Sequence, residues 1–392
     1  MKYYFRCVKC GFTEKDGKKQ MMLCPSCGSN LDVMYNYDRI SLSKKKNLSM
    51  WTFGELLPVS ADPSALRTVI GGTPLIESRN TEGLLFKDDT RNPSLSFKDR
   101  ASAIAIMKCI ELGKKGVTTA STGNAAASLA ALSALAGLKC VIFVPENAPP
   151  AKLAQILIHG SRLVKIKGTY DEAFDIATAF SRKSGYYLRN TGINPFMTEG
   201  KKTVSFEMHV QTDIGKIDNV FVSVGDGCII GAVYKGFWEL KKIGAIKKIP
   251  RVIGVQASGA SPIATAFKKG SDDIKPVISR TLADSISVGN PRDPHKALRA
   301  ARDSGGYFLT VTDSEIAAAQ GELALKEGIY AEPAAAAAYA GYKRSREKGR
   351  SIVLVTGNGL KDIAFTLSHN SFKSITLDPA GKGLDRMVRD LS

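Results

Sequence analysis

The sequence predicts an α/β protein whose strands run parallel in open sheets, and three observations carry that prediction. From Gly71-Gly72-Thr73-Pro74-Leu75 onward, strand and helix signals alternate. Runs such as Cys140-Val141-Ile142-Phe143-Val144 are apolar without a break, the pattern of a strand covered on both faces. Turns rich in Gly, Ser and Asn follow several of these runs, and helix signals follow the turns. With 392 residues, 44% hydrophobic and 23% charged, the chain is globular and long enough for two ordinary domains and a small appendage. We expect a module at residues 1–34, a larger α/β domain from 35–95 and 205–392, and a smaller α/β domain from 96–204.

The first 34 residues read as short strands around two cysteine knuckles. Two residues separate Cys7 from Cys10 and Cys24 from Cys27, and thirteen lie between the pairs. Each pair can aim two thiolates at one tetrahedral ion, and Gly11 and Gly28 free the backbone just after each knuckle. Four thiolates leave no open coordination position, so the expected ion is structural: zinc, with iron as the alternative. Disulfides or plain core thiols are the other reading. Cys109 and Cys140 lack metal spacing and are expected in the core.

Residues 35–70 are polar, Lys-rich and of little periodicity, and read as a connection. A strand is expected over 83–88, a helix over 98–112 stopped by Gly113, a strand over 117–120, and an Ala-rich helix over 124–136 ended by Gly137. The alternation continues with strand 140–144, helix 151–159, strand 163–166, helix 170–184, strand 186–189, strand 219–224, helix 229–243, strand 251–256 and strand 351–355. Pro333 stands before the alanine run 334–338 as a helix-opening residue.

Chemistry concentrates at the strand-to-helix junctions, where α/β sheets gather their ligands. Lys98 closes the segment Asn92-Pro93-Ser94-Leu95-Ser96-Phe97 at a helix start. A nucleophilic lysine must lose its proton, which burial beside apolar and cationic groups favours. Phe97 and Arg100 are the expected neighbours, with Asp99 opposing them. Ser121-Thr122-Gly123-Asn124 reads either as a helix cap or as a carboxylate clamp of exposed N–H groups and hydroxyls. Gly225-Asp226-Gly227-Cys228-Ile229 follows an apolar strand, and its backbone N–H groups can wrap a phosphate. Asp226 would repel that phosphate unless it points away, and no chemistry is expected of the Cys228 thiol. Thr356-Gly357-Asn358-Gly359 is the third such turn.

The formal charge is +18, yet the lysines are scattered. Lys44-Lys45-Lys46 is a lone triplet; Lys114-Lys115, Lys201-Lys202, Lys241-Lys242 and Lys247-Lys248 are pairs, and no aromatic residues interleave the triplet. We read a solvated basic surface that steers anionic small molecules, not a nucleic-acid binder. No apolar run reaches membrane-spanning length and no apolar leader follows Met1, so no membrane association and a cytoplasmic location are expected.

Over residues 70–365 the motifs Asn92-Pro93-Ser94-Leu95-Ser96-Phe97-Lys98-Asp99-Arg100, Ser121-Thr122-Gly123-Asn124 and Thr356-Gly357-Asn358-Gly359-Leu360-Lys361-Asp362 resemble the threonine synthase branch of the fold-type II pyridoxal phosphate enzymes. That group has the tryptophan synthase β-subunit fold, and some members carry a cysteine-rich N-terminus. The resemblance implies that Lys98 is the Schiff-base lysine and Asn124 bonds the ring oxygen. It places the cofactor phosphate on Gly225, Asp226, Gly227, Cys228 and Ile229, and the pyridine nitrogen at Thr356. Ser121, Thr122, Gly123, Asn190 and Thr191 are assigned to an amino-acid substrate, with Cys7, Cys10, Cys24 and Cys27 on a structural zinc. A homodimer is expected of the fold class. The implied reaction converts O-phospho-L-homoserine and water to L-threonine and phosphate.

The sequence departs from the family pattern at three places. Leu95 stands where a small residue is usual, and Asp226-Gly227-Cys228 replaces an Asn- and Gly-rich loop. Met197 occupies the slot of an Arg that helps hold substrate phosphate, so Arg189, Lys201 or Lys202 would have to compensate. A serine/threonine dehydratase or a cysteate-synthase-like enzyme on the same scaffold is the alternative, and a non-enzymatic zinc-ribbon binding protein is a third.

Overall fold

The computed structural model describes residues 3–15, 21–40, 42, 48–369, 376–377 and 384–391. The triplet Lys44-Lys45-Lys46 lies outside the described residues. Strands β1 (Tyr4–Cys7), β2 (Thr13–Glu14) and β3 (Leu31–Met34) form an antiparallel sheet in the order β2-β1-β3. Around β3 this small sheet is bonded to the body of the protein. Asn30 Nδ2 donates to the Gly192 carbonyl at 2.7 Å, Arg299 Nη2 meets Asp32 Oδ2 at 2.6 Å, and the Tyr35 hydroxyl donates to Glu199 at 2.6 Å.

The expected connection over 35–70 carries more structure than its composition announces. Two 3₁₀ segments, Met50–Leu56 and Pro63–Leu66, bury Met50, Phe53, Leu56 and Leu66 in the core. A 3₁₀ turn repeats every three residues, so it shows neither the strand nor the α-helix period.

The remaining strands are β4 (Leu75–Glu77), β5 (Leu84–Asp88), β6 (Val117–Ala120), β7 (Cys140–Pro145), β8 (Arg162–Ile166), β9 (Tyr187–Leu188), β10 (Asn219–Ser223), β11 (Arg251–Ala257), β12 (Phe308–Val311) and β13 (Ser351–Val355). They build a six-stranded sheet, β12-β11-β10-β13-β5-β4, and a four-stranded sheet, β8-β7-β6-β9. Every pairing is parallel except β4 with β5 at one edge.

Between the strands run α1 (Lys98–Glu111), α2 (Asn124–Leu135), α3 (Pro150–Leu157), α4 (Tyr170–Ser184), α5 (Phe196–Lys201), α6 (Thr203–Gln211), α7 (Cys228–Lys242), α8 (Pro262–Lys268), α9 (Pro294–Ser304), α10 (Asp313–Glu327) and α11 (Pro333–Ser345). Helices α12 (Ile363–His369) and α13 (Leu384–Leu391) follow. Expected ends shift by a residue or two: the helix read over 151–159 is Pro150–Leu157, and the strand read over 186–189 is Tyr187–Leu188.

The strand runs are continuously apolar because helices cover both faces. On β10, Val220 and Val222 face one core while Phe221 joins another beneath α11. The alanines of α11 let that helix lie close to the sheet; a Cβ on Gly341 would come 2.3 Å from Val255. Helices α1 and α5 cross as tightly, since a Cβ on Gly200 would lie 1.9 Å from the Arg100 carbonyl oxygen. Among the described residues, no helix is long and apolar enough to cross a membrane.

Candidate active site

A cavity of about 390 Å³ opens between the two parallel sheets, beyond the carboxyl ends of β6, β9, β10 and β13. Its wall includes Lys98, Ser121, Thr122, Gly123, Asn124, Asn190, Thr191, Gly225, Asp226, Gly227, Cys228, Ile229 and Thr356. The cofactor and substrate residues expected from the sequence are therefore brought together in one place. The cavity also takes in Tyr170, Phe174, Arg189, Lys201 and Glu332.

The lysine-bearing loop is stitched to the Thr356 turn through main chain. Phe97 N–H donates to the Thr356 carbonyl at 2.8 Å, Asn358 N–H donates to the Leu95 carbonyl at 3.1 Å, and Ser96 forms a β-bridge with Gly357. Leu95 sits at φ 60°, in the left-handed region, which explains why a small residue suits that position and what a leucine strains there. Asp99 folds back to accept from Ser94 N–H at 2.6 Å and from the Ser94 hydroxyl, tightening the turn that opens α1.

The electrostatic setting of Lys98 differs from the expected one. Burial lowers its proton affinity, and the nearby cation that adds to this is Arg189, not Arg100. Successive helix residues point about 100° apart, and Arg100 turns to the far side of α1, where it pairs with Asp89 at 2.6 Å and Glu207 at 2.5 Å. Glu332, Cys228 and Asp226 pull the Lys98 proton affinity back up, while the Asp99 carboxylate is taken up by Ser94.

Arg189 donates to the hydroxyls of Thr191 at 2.7 Å and Ser102 at 3.3 Å, and reaches the Lys98 carbonyl at 3.4 Å. No carboxylate among the described residues forms an ion pair with Arg189, Lys98 or Lys201. Burial pushes the Lys201 amine down to about 7, with Lys98 and Arg189 adding to the effect. Lys202 does not share this surface. Its amine lies between Glu199 at 2.5 Å and Glu239 at 2.6 Å, over the Tyr35 ring, and it does not line the cavity. Met197 is also absent from the cavity wall, because it is wholly buried in the hydrophobic core. The expectation that Met197 occupies an anion slot is corrected accordingly, and Lys202 drops out of the compensating cations.

The Gly225 turn opens α7 at Cys228 with Gly227 at φ 96°. A Cβ on Gly227 would meet the Asp293 carbonyl at 2.5 Å, so only glycine fits. The Asp226 carboxylate is engaged by the Arg292 backbone N–H at 3.1 Å. Burial raises the Cys228 thiol's proton affinity and keeps it a thiol. Asn190 Oδ1 accepts from the Thr119 hydroxyl and from Ala120 N–H, both at 2.9 Å, while its buried Nδ2 has no hydrogen-bond partner among the described residues. Asn124 Nδ2 donates to both oxygens of Glu332, at 3.0 and 2.8 Å. Sequence reasoning missed Glu332, although a carboxylate directly before a helix-opening proline was a visible signal. Arg189 and Lys201, without an ion-pair partner among the described residues, the Lys98 amine, the start of a 15-residue helix and the polar groups of Asn124 and Thr356 form a set that suits a phosphorylated aromatic aldehyde.

Away from the cavity, the Sγ atoms of Cys7, Cys10, Cys24 and Cys27 lie within 4.8 Å of one another. Cys7–Cys27 measures 3.5 Å and Cys10–Cys24 3.6 Å. Four thiolates at zinc distance on a tetrahedron would be about 3.8 Å apart, whereas a disulfide needs about 2.05 Å. Gly11 at φ 75° and Gly28 at φ 71° close the two knuckles.

Comparison with known proteins identifies the family. The profile of a family described as "Pyridoxal-phosphate dependent enzyme" covers residues 66–357. The chain is 41% identical to threonine synthase of Methanocaldococcus jannaschii, over 91% of this chain and 92% of that one. It is 38% identical to threonine synthase of Methanosarcina acetivorans, over 92% of each. Maize serine racemase superposes with a TM-score of 0.64 at 22% identity, covering 81% of this chain and 92% of that one. A threonine deaminase from T.th. does so with 0.64 at 23%, covering 77% and 94%. The superpositions speak for the fold; the sequence relatives speak for the branch. The chain belongs to the pyridoxal-phosphate dependent enzymes, in the threonine synthase group.

Proposed function

We propose that the chain converts O-phospho-L-homoserine and water into L-threonine and phosphate. The observation that carries this, beside the relatives, is the pair of buried cationic side chains Arg189 and Lys201, set beside Lys98 around one cavity with no ion-pair partner among the described residues. The reaction has a doubly charged leaving group and a carboxylate to hold, and the cavity supplies charge of the opposite sign. Pyridoxal phosphate, when bound, supplies the electron sink that stabilises negative charge on substrate carbon.

The chain's own residues divide the remaining work. Lys98 anchors the cofactor and, once released, moves protons at its Nζ between substrate carbons; burial and Arg189 favour the neutral amine this requires. Backbone N–H groups of 225–229 would hold the cofactor phosphate, Asn124 would serve the ring oxygen, and the Thr356 hydroxyl would serve the pyridine nitrogen. Ser121, Thr122 and Gly123 clamp the substrate carboxylate, with Asn190 and Thr191 beside it. Arg189 and Lys201 receive the substrate phosphate.

We extend the reading to a structural zinc on the four cysteines, supported by their spacing. The partition into 1–34, 35–95 with 205–392, and 96–204 is supported by one sheet falling in each part. A homodimer and a cytoplasmic location belong to the same reading of the chain. The deciding experiment incubates the holoenzyme with phosphohomoserine, phosphoserine, serine and threonine and scores phosphate, ammonia and new amino acids. Threonine and phosphate should appear in equal amounts from phosphohomoserine alone. Ammonia from serine or threonine, without threonine from phosphohomoserine, would replace this reading with a dehydratase.

A further inference from the structure

Four carboxylates line the cavity, and three are committed elsewhere. Asp171 pairs with Arg292, Asp284 pairs with Lys152 at 2.6 Å, and Asp226 takes the Arg292 backbone N–H. Glu332 has no ion-pair partner among the described residues, and its hydrogen-bond donor is the Asn124 amide. It is 5% exposed. Its backbone is pinned, since Glu332 N–H donates to the Gly357 carbonyl at 2.8 Å. The carboxyl lies against Gly357, where a Cβ would come within 2.4 Å of it. Glu332 precedes α11 but makes no side-chain cap there, so its carboxylate is free for another task. A buried carboxylate opposite a neutral amide is costly unless a positive charge or a shared proton arrives with a ligand.

Resting on the cofactor assignment above, we propose that Glu332 is a positioning residue for the cofactor ring. It locks the Asn124 amide, and its negative charge holds a proton on the lysine–cofactor linkage at neutral pH. With its nitrogen turned to both Glu332 oxygens and toward the Ser285 hydroxyl at 3.5 Å, the amide has its oxygen left to offer, and the Glu332 contact sets which way that oxygen faces. The charges that face Glu332 are Lys98 on α1, Lys361 on the turn Gly359–Lys361 and Asp284 on the turn Asp284–Ile286. Burial, with Asp284 adding to it, raises the proton affinity of Glu332 above the usual carboxylate range; the Asn124 hydrogen bond, Lys98 and Lys361 oppose that rise, and the amide's donation to both oxygens is the geometry of an ionised carboxylate.

The test is a pH titration of the visible absorption band in the holoenzyme without substrate. Glu332→Gln keeps the shape and an acceptor for Asn124 but removes the charge. The pH midpoint of the band should fall by about one to two pH units, as expected from losing one charge several ångströms away at an effective dielectric constant of about 20. Glu332→Asp, which retains the charge, should titrate close to wild type, and it serves as the test if the glutamine variant does not fold. An unchanged midpoint in Glu332→Gln would overturn the proposal, as would equal shifts in both variants, because charge would then not be the cause. No substrate is used, so a protein that shows the band but makes no threonine would defeat the functional reading and leave this one to its own midpoint.

Discussion

Replacing Lys201 with methionine should strengthen the empty protein and weaken the enzyme. Burial takes the amine from 10.5 to about 7, a difference on the order of 5 kcal/mol in the cost of holding the charge. The sign follows from proton uptake. Between pH 7 and 10.5 the unfolded chain holds a proton on this residue that the folded chain has released, so the penalty is complete below about pH 7 and fades as pH rises. Urea unfolding of the cofactor-free protein at pH 6 should therefore show Lys201→Met more stable by a few kcal/mol, with the gap shrinking by pH 9. The same substitution removes a charge-assisted contact to substrate phosphate, worth roughly 1.5–3 kcal/mol. Its kcat/KM for phosphohomoserine should drop about 10- to 150-fold, and inorganic phosphate should inhibit it less. A variant less stable at pH 6, with an unchanged KM, would refute the account of Lys201 as a partnerless cation awaiting an anion.

Its neighbour should behave in the opposite way. Lys202→Met strands Glu199 and Glu239 with Lys235 as their remaining cation, and should cost about 3–5 kcal/mol of stability; a loss below about 1 kcal/mol would argue against the buried network. Lys98→Ala should abolish both the visible cofactor band and the adduct left by borohydride reduction, and an adduct mapped to another lysine would move the site. Cys24→Ser should lower metal content and thermal stability while sparing cofactor spectra, and metal analysis finding neither zinc nor iron in unchelated protein would end the metal assignment.

What could be read in the sequence was local. Strand runs, the helices after Gly123 and Gly227, and the paired cysteines each carry their signal within a few residues, because turn geometry and thiolate reach are short-range constraints. Partnerships were not legible. Nothing near Lys98 in sequence points to Arg189, and Arg100 looked suitable until the helix rotated it toward Asp89 and Glu207. Met197 and Lys202 share a segment with Lys201, yet the helix turn sends one into the core, one into a salt-bridge cluster and one to the cavity. Glu332 was hidden by its setting before an alanine run, which draws the eye to packing. Residues 50–66 escaped because 3₁₀ turns lack the periods that betray helices and strands.

The backbone stitch between the Lys98 loop and the Thr356 turn bears on how such a pocket can change. Two hydrogen bonds and a β-bridge set the separation of these positions through main-chain atoms alone. Exchanging side chains on the facing walls, at Ser121, Thr122 or Lys201, leaves that ruler untouched. Substrate preference can thereby shift in those side chains while the spacing between the Lys98 loop and the Thr356 turn stays fixed by peptide bonds that substitution rarely reaches. A scaffold so divided can be retargeted one residue at a time without first losing the chemistry.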